Sequence, residues 1–204
     1  MGTELENVMI YYIIKKQEAT PADFVEFWAK WYNDKYEPTY RQFIDQTLTP
    51  ESVRVLFAWK AMSITRKAIE EGENPFVESL IGDLDHFRSL QLNTPEDADK
   101  FLTNELNGKG MIWKIFTLHI LNPDKYPIFD QHVYRAIVYL KTGVIKEIPK
   151  SNEEKQLKYI SEYLHFYNEE HARYKDRKLD KALFSFGQFL KKTNRLNNEE
   201  NKPV

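Results

Sequence analysis

Two glycines that flank a lysine begin the segment of the chain whose residues are best suited to ligand binding and catalysis. Gly108-Lys109-Gly110 stands between the end of one predicted helix and the start of the next. Glycine lets a tight turn adopt positive φ angles and lets the backbone approach a ligand closely. The N–H groups of such a turn, with those of the following helix, form a small concavity suited to an anion. An ordinary turn between helices can show the same spacing, so its interpretation depends on the residues further along the chain.

A carboxylate follows this turn at another predicted helix start. The chain passes through Asn122-Pro123 and an extended apolar segment at residues 126–129 before Asp130 opens the new helix. An aspartate in that position accepts hydrogen bonds from first-turn N–H groups, and the helix dipole favours its charged form. Asp130 is therefore either a structural cap or a carboxylate held ionised for catalysis.

Residues 106–135 together resemble the helix-hairpin-helix DNA glycosylase superfamily, the group that contains endonuclease III and the adenine glycosylases. That family has a hairpin of the form L-P-G-V-G, followed about twenty residues later by D-x-[NH]-[VI]-x-R. Here residues 106–110 read L-N-G-K-G, and Asp130 lies 20 residues after Gly110. Residues 130–135 read D-Q-H-V-Y-R, which fits every specified position.

The resemblance implies an all-α, DNA-glycosylase-like fold with a helix-hairpin-helix motif, DNA as the partner, and a base-excision repair activity. The family flips a damaged or mispaired base out of the duplex and hydrolyses its N-glycosidic bond. Asp130 would be the catalytic carboxylate, which stabilises the positive charge that develops on the sugar or positions a water molecule. The DNA backbone would be bound by Gly108, Lys109, Gly110 and Arg135.

Two tryptophans are candidates for the base pocket. Trp59 and Trp113 both lie on helices that the apolar pattern predicts to be buried, and either could line a pocket. Large aromatic rings are more often core residues than base-stacking platforms.

Three positions depart from the family pattern. Asn107 replaces the hairpin proline, and Lys109 replaces an apolar residue that packs under the hairpin. Members that also cleave the DNA strand carry a lysine two residues after the last hairpin glycine, where this chain has Ile112. Lys114 is about 200° further around the helix and should face away. The predicted glycosylase is therefore monofunctional.

Two other functions fit parts of the sequence. Residues 1–140 hold 15 Lys+Arg against 21 Asp+Glu. This acidity, together with Lys109, favours a non-catalytic helix-hairpin-helix module that binds nucleic acid or a protein. Alternatively, His165, Glu169 and His171 could hold a metal in a helical enzyme of another class. Metal sites need three or four converging ligands, and no partner motif is evident, so neither a metal nor a cofactor is predicted.

Composition excludes several classes of protein. The 204 residues include no cysteine and carry a net charge of −2, which rules out disulfides, iron–sulfur clusters and zinc–thiolate sites. Residues 173–181 form the densest basic run, interpreted either as a solvated helix face or as part of a phosphate-contacting surface. The apolar run at residues 8–14 is too short to span a membrane, and it could be a strand or a helix end. We predict a cytoplasmic protein without a membrane partner.

The elements that must position these residues are helices with clear start signals. A capping residue precedes proline at Thr20-Pro21, Thr49-Pro50, Asn74-Pro75 and Thr94-Pro95. A fifth start is Ser151, which has Glu154 at the spacing of a capping box. Residues 111–121 are apolar almost all round, as expected of a central helix. The sequence predicts a compact all-α bundle of eight or nine helices. Residues 1–193 would form one domain with two possible subdomains around a cleft, and residues 194–204 a disordered tail.

Overall fold

A computed structural model describes residues 20–61, 63–106, 110–171, 174 and 177–200 of the chain. Within those residues the chain consists of helices joined by short turns and contains no β-strand. The α-helices are α1 (Pro21–Ala29), α2 (Glu37–Ile44), α3 (Pro50–Lys60), α4 (Ser63–Glu70), α5 (Pro75–Gly82), α6 (Leu84–Ser89), α7 (Pro95–Asn104), α8 (Met111–Leu121), α9 (Gln131–Thr142), α10 (Asn152–Lys158), α11 (Leu164–His171) and α12 (Lys178–Glu200). The all-α prediction is confirmed.

Single turns with non-α geometry separate neighbouring helices at two places in the structure. Asp83, with φ −101° and ψ 13°, separates α5 from α6. A π-helical turn, Tyr159–Tyr163, joins α10 to α11. A 3₁₀ turn, Asp34–Tyr36, also precedes α2. The described residues therefore hold more helical segments than predicted, because single non-α turns leave the apolar periodicity almost unchanged.

All five predicted helix starts are confirmed. Thr20, Thr49, Asn74, Thr94 and Ser151 are N-caps whose side-chain oxygens accept a backbone N–H from the first turn. A proline follows the first four of them, where the missing N–H costs no intrahelical bond. These caps depend only on residues within one turn of each other, which explains why the sequence alone reveals them.

Helix α8 is the central helix, as its apolar pattern predicts. Its side chains at Ile115 and Leu118 have no exposed surface, and the polar Thr117 and His119 are buried with them. His119 is accommodated because both of its ring nitrogens are bonded. Nδ1–H donates to the Tyr126 carbonyl at 2.7 Å, and Nε2 accepts the Tyr40 hydroxyl at 2.7 Å. Burial lowers the pKa of His119 to about 3, which keeps the ring neutral.

The long helix α12 packs against α1 and α9, whereas α3 packs against α2, α4 and α5. Helix α12 continues to Glu200, beyond the start of the predicted disordered tail at residue 194. Extending an existing helix gains one hydrogen bond for each residue ordered, so the lack of an apolar stripe does not end it. Of the helices described here, none is both long and apolar enough to cross a membrane.

Helices α9 and α12 are in close backbone contact at a glycine. A Cβ at Gly187 would lie 1.9 Å from the backbone oxygen of His132, in the first turn of α9. Only a residue without a side chain allows this approach. The contact fixes the first turn of α9 against α12, directly beside the predicted catalytic carboxylate.

Candidate active site

A cleft of about 670 Å³ lies where the end of α3, the start of α9 and the start of α12 meet. The turn before α2 and the first turn of α8 complete its wall. This volume is within the range of about 300–1,000 Å³ that is usual for small-ligand pockets. The side chains that line this cleft include Lys60, Trp59, Asp130, His132 and Arg177.

Asp130 lies on the wall of this cleft as the N-cap of α9, which confirms its predicted position at a helix start. Its Oδ1 accepts the backbone N–H groups of His132 at 2.8 Å and Val133 at 3.1 Å. Its Oδ2 lies 3.2 Å from Nζ of Lys60, and the side chains of Lys60 and Asp130 are only 18% and 14% exposed. One carboxylate oxygen is thus held by the helix, and the other accepts a hydrogen bond from the Lys60 ammonium.

This environment keeps Asp130 ionised. Burial by itself raises the pKa of the carboxyl group, but the Lys60 ammonium and the two backbone N–H groups outweigh it. The pKa of Asp130 therefore lies below its ordinary value. A fixed negative charge on a side chain that is only 14% exposed interacts strongly with any positive charge that forms beside it.

His132 and Arg135 hold the first turn of α9 in place. Arg135 has no exposed surface. Its Nε and Nη2 donate to the two oxygens of Glu147 at 3.2 and 2.6 Å. Its Nη1 donates to the Gly187 carbonyl at 3.1 Å and lies 3.3 Å from Nδ1 of His132. The structure thus gives Arg135 a structural role in place of the predicted DNA-backbone contact, because a phosphate cannot reach a fully buried and bonded guanidinium.

The side chain of His132 is neutral in this arrangement. Burial lowers the pKa of His132 and the Arg135 charge lowers it further, whereas the Asp130 carboxylate opposes the shift. The ring packs edge-on against Phe184, with the ring centroids 5.0 Å apart. His132 thus adds an uncharged polar edge to the cleft beside Asp130.

Arg177 supplies a second cation to the cleft. Its guanidinium lies over the Tyr40 ring at 4.0 Å and the Trp59 ring at 5.3 Å, distances at which cation–π attraction operates. Nη1 donates to both oxygens of Glu37 at 3.3 and 3.2 Å, and Nε lies 3.7 Å from Asp180 Oδ2. In the sequence, Arg177 is recognisable only as part of the basic run at residues 173–181. The aromatic rings and carboxylates that it contacts are distant from it in the chain.

Arg177 also has a strained backbone. Its φ is 58°, the one positive value of a non-glycine residue in the described part of the chain. A residue held in such a region costs roughly 1–3 kcal/mol and persists only where its surroundings impose it. The stacking on Tyr40 and the ion pairs with Glu37 and Asp180 are the interactions that hold Arg177 there.

Of the two candidate pocket tryptophans, the structure places one in the cleft. Trp59 lines it and packs against Tyr40, with the ring centroids 4.7 Å apart. Trp113 does not line it; its ring is stacked on Phe57 at 5.3 Å, among the helices behind the cleft. Tyr32, Tyr36 and Phe184 add further aromatic surface to the cleft.

Part of the predicted hairpin, Asn107, Gly108 and Lys109, lies outside the described residues. Gly110 is the N-cap of α8, with φ −64°, and a Cβ there would meet nothing within 4 Å. Its conformation therefore does not require glycine. The adjacent Met111 N–H already donates to Oδ1 of Asn152 at 3.1 Å.

The lysine of the strand-cleaving family members has no counterpart at the predicted position. Ile112 lines the cleft there, whereas Lys114 donates from Nζ to the Leu102 carbonyl at 3.1 Å, at the end of α7. Lys60 is the lysine that adjoins Asp130, and it comes from a different helix. Sequence reasoning missed Lys60 because no local pattern connects it with Asp130.

The alternative metal cluster is not assembled in the described part of the structure. His165 pairs with Glu169 at 3.2 Å on an exposed face, with the two side chains 75% and 62% exposed. No group of three or more metal-binding side chains occurs among the residues that the structure describes. The side chain of His171, the third member of the predicted cluster, lies outside the described part of the structure.

Comparisons of the chain with family models, with curated proteins and with solved structures found no match.

Proposed function

We propose that this chain is a monofunctional DNA glycosylase that hydrolyses an N-glycosidic bond, with Asp130 as its catalytic carboxylate. The observation that carries the proposal is the position of Asp130. Its carboxylate is held ionised by Lys60 and by two backbone N–H groups on the wall of a cleft of about 670 Å³. The same cleft offers the Trp59 ring, and base–aromatic stacking is a general way to hold a flipped base.

Cleavage of an N-glycosidic bond is accelerated by a fixed negative charge near the sugar, and the Asp130 carboxylate supplies that charge in this proposal. As the bond between C1′ and the base nitrogen breaks, its electron pair leaves with the base and positive charge develops on the sugar. The ionised Asp130 stabilises that charge, which is the kind of preorganised electrostatic effect that contributes most in a dry site. The oxygen of a water molecule then bonds to C1′; one of its protons is released and ends on the departed base.

The proposal also assigns a DNA-binding surface around the cleft. Gly110 and the N-terminus of α8 would approach a phosphate through backbone N–H groups, together with Gly108 and Lys109. A cleft between the part of the bundle built on α12 and the part built on α3 would receive the flipped nucleotide. The expected helix-hairpin-helix fold with two subdomains is part of the same proposal.

A base-release assay on the wild-type protein tests this function. Labelled duplexes carrying uracil, hypoxanthine, oxidised guanine, alkylated purines, or G·A and G·T mismatches would be incubated with the protein and then treated with hot alkali. We expect strand breaks from at least one duplex, and only after alkali, because the abasic product requires alkali for cleavage when no lysine forms a Schiff base.

Two other outcomes would contradict the proposal. Strand breaks without alkali would show lyase activity and make the enzyme bifunctional. No release from any duplex, by a protein that still binds DNA with steep salt dependence, would favour the non-catalytic binding module and leave Asp130 as a helix cap.

Replacing Lys60 by methionine should change the pH dependence of base release. The Lys60 charge lowers the pKa of Asp130, and only the ionised carboxylate stabilises the sugar cation. Activity is therefore lost as the pH falls through the pKa of Asp130. Without Lys60 that pKa rises, so the acidic limb of the pH–rate profile should move to higher pH. Single-turnover rates across the acidic range measure the shift.

Lys67→Met is the matched control for this experiment. Lys67 lies on α4 with 76% of its side chain exposed, and it pairs with Glu71 of the next turn at 3.7 Å. Its removal should leave the profile unchanged. Coincident acidic limbs for Lys60→Met and the wild type would show that Lys60 does not tune Asp130.

A further inference from the structure

Tyr36 lies on the boundary between the cleft that contains Asp130 and a second pocket beside it. The second pocket has a volume of about 470 Å³, and Tyr36 and Trp59 line both cavities. Tyr36 is 45% exposed. A molecule that enters the cleft from solvent can therefore contact its side chain.

Two cations converge on Tyr36. The Lys35 Nζ lies 5.1 Å from the centre of the Tyr36 ring, and the guanidinium carbon of Arg66 lies 4.8 Å from it. Hydrogen bonding with Lys35 and with Arg66, together with their charges, lowers the pKa of the Tyr36 hydroxyl. The two cations, which come from the 3₁₀ turn and from α4, thus act at the same polar group.

These two cations differ from the others that lie over aromatic rings near the cleft. The others each pair with a carboxylate as well, and they are Lys60, Arg177 and Lys181. Lys35 and Arg66 form no ion pair among the residues that the structure describes. Asp34, next to Lys35 in the chain, is instead paired with Lys181 at 2.8 Å. The positive charge around Tyr36 is therefore not neutralised by a carboxylate of the described chain.

Arg66 is fixed in position by the end of α3. Its Nε donates to the Ala58 carbonyl at 2.8 Å, and its Nη2 lies 3.5 Å from the Ala61 carbonyl oxygen. Glu70 follows at a spacing that often gives an ion pair on a helix, but the guanidinium is directed to α3 instead. The Nη1 group of this partly exposed residue has no hydrogen-bond partner in the described part of the chain. Arg66 thus offers accessible donors in a fixed orientation.

The second pocket itself is less suited to an anion than its boundary at Tyr36. Arg54 lines that pocket, but its Nε donates to Oε1 of Glu78 at 2.8 Å. Glu51 and Glu70 also line the pocket and add negative charge to it. An anion is therefore favoured at the Tyr36 side chain, where Lys35 and Arg66 meet, over the interior of the pocket.

We propose that Lys35, Tyr36 and Arg66 bind one phosphate group of the DNA backbone, on the strand whose nucleotide enters the cleft. An ammonium, a phenol and a guanidinium are typical donors to phosphate oxygens in protein–DNA complexes, and hydrogen bonds to an ionised acceptor are strong. The proposal rests on the proposed glycosylase function and names a contact of the same cleft with its substrate. Such a contact fixes the position of the strand and does not read its sequence.

DNA affinity tests the site without catalysis. The probe is a duplex with a central tetrahydrofuran residue, an abasic analogue that has no glycosidic bond to cleave, titrated by fluorescence anisotropy at several salt concentrations. We expect Lys35→Gln and Arg66→Gln each to weaken binding by about tenfold, as when a hydrogen bond to a charged group is lost. Each should also make the slope of log K against log salt less steep by about 1.

Lys67→Gln is the matched control for the loss of one positive charge. Lys67 follows Arg66 on α4, has 76% of its side chain exposed and pairs with Glu71, so its loss should change neither the affinity nor the salt slope. Tyr36→Phe keeps the ring and removes only the hydroxyl, and it should weaken binding less than the loss of either cation.

A neutral backbone linkage provides a second readout. A methylphosphonate would replace each linkage around the tetrahydrofuran residue in turn. We expect one replacement to weaken binding by the wild type about tenfold, and to weaken binding by Arg66→Gln no further, because that variant has already lost the contact. If Arg66→Gln does not fold because the end of α3 loses its bonded guanidinium, Lys35→Gln gives the same comparison at an exposed residue.

The outcomes separate this site from the glycosylase proposal. One neutral linkage whose effect disappears in the variants, without base release from any duplex, would support the phosphate site and overturn the glycosylase function. Base release by variants whose DNA affinity and salt slope equal those of the wild type would overturn the phosphate site and keep the glycosylase. Equal effects of every neutral linkage would overturn the site by showing only long-range attraction. Binding of inorganic phosphate that depends on Arg66, without competition by DNA, would overturn it in favour of a free anion.

Discussion

Asp130→Asn is expected to reduce the rate of base release by about 10²–10³-fold, the usual loss when one preorganised electrostatic group is removed from an active site. The amide keeps the shape of the side chain but carries no charge, so it cannot stabilise a cation on the sugar. Asparagine is also a good N-cap residue, and its oxygen can still accept the N–H groups of His132 and Val133. Single-turnover release from the preferred duplex measures the effect, and DNA affinity should be nearly unchanged.

Asp85→Asn provides the matched control. The Asp85 side chain is 96% exposed and pairs with Arg88 of the next turn at 2.7 Å, so its loss should change neither folding nor activity. A thermal melt of both variants separates loss of catalysis from loss of structure. Equal rates for Asp130→Asn and the wild type would remove Asp130 from the mechanism.

Gly187→Ala is expected to lower the free energy of unfolding by about 3 kcal/mol, or roughly 6–12 °C in Tm. The added Cβ would lie 1.9 Å from the His132 carbonyl oxygen, and the obstructing atom is backbone, which cannot rotate away. Helices α9 and α12 must therefore separate. The same movement would displace the first turn of α9, which Asp130 caps, so base release should fall more than the loss of folded protein explains. Thermal unfolding, followed by rates at a temperature where the variant is folded, measures both effects.

Gly82→Ala is the same substitution at a helical glycine without an obstacle. A Cβ at Gly82 would meet nothing within 4 Å, and alanine is favoured over glycine in a helix by roughly 0.5–1 kcal/mol. Gly82→Ala should thus leave stability unchanged or raise it slightly. Similar stabilities for the two alanine variants would show that α9 and α12 are not locked together at Gly187.

Elements whose signals are local were predictable from the sequence. The cap at Thr94 depends on Pro95 and Asp97, and the cap at Asp130 depends on the next three residues of the chain. The burial of Ile115 follows from an apolar surface all round α8. Each of these features needs only residues within a few turns of one another, which is the range over which helical periodicity and capping operate.

Features that depend on long-range packing were not predictable in this way. Lys60 is 70 residues from Asp130, and Arg177 is 140 residues from Glu37. Arg135 fits the pattern of a phosphate-binding arginine equally well whether it is exposed or buried. Arg135 is buried because α12 packs closely against α9 at Gly187. The residues around Arg135 in the sequence give no sign of that contact.

The sequence by itself thus determined the helical class, the helix starts and the placement of Asp130 at the head of a helix. Capping and periodic burial are interactions between near neighbours, so the order of residues is enough to specify them. Only the tertiary structure decided that Lys60 faces Asp130, that Arg177 stacks on Tyr40 at the cleft, and that Arg135 supports α9 from inside. These contacts arise because helices distant in the chain pack against one another, and their partners become neighbours only once the core has formed.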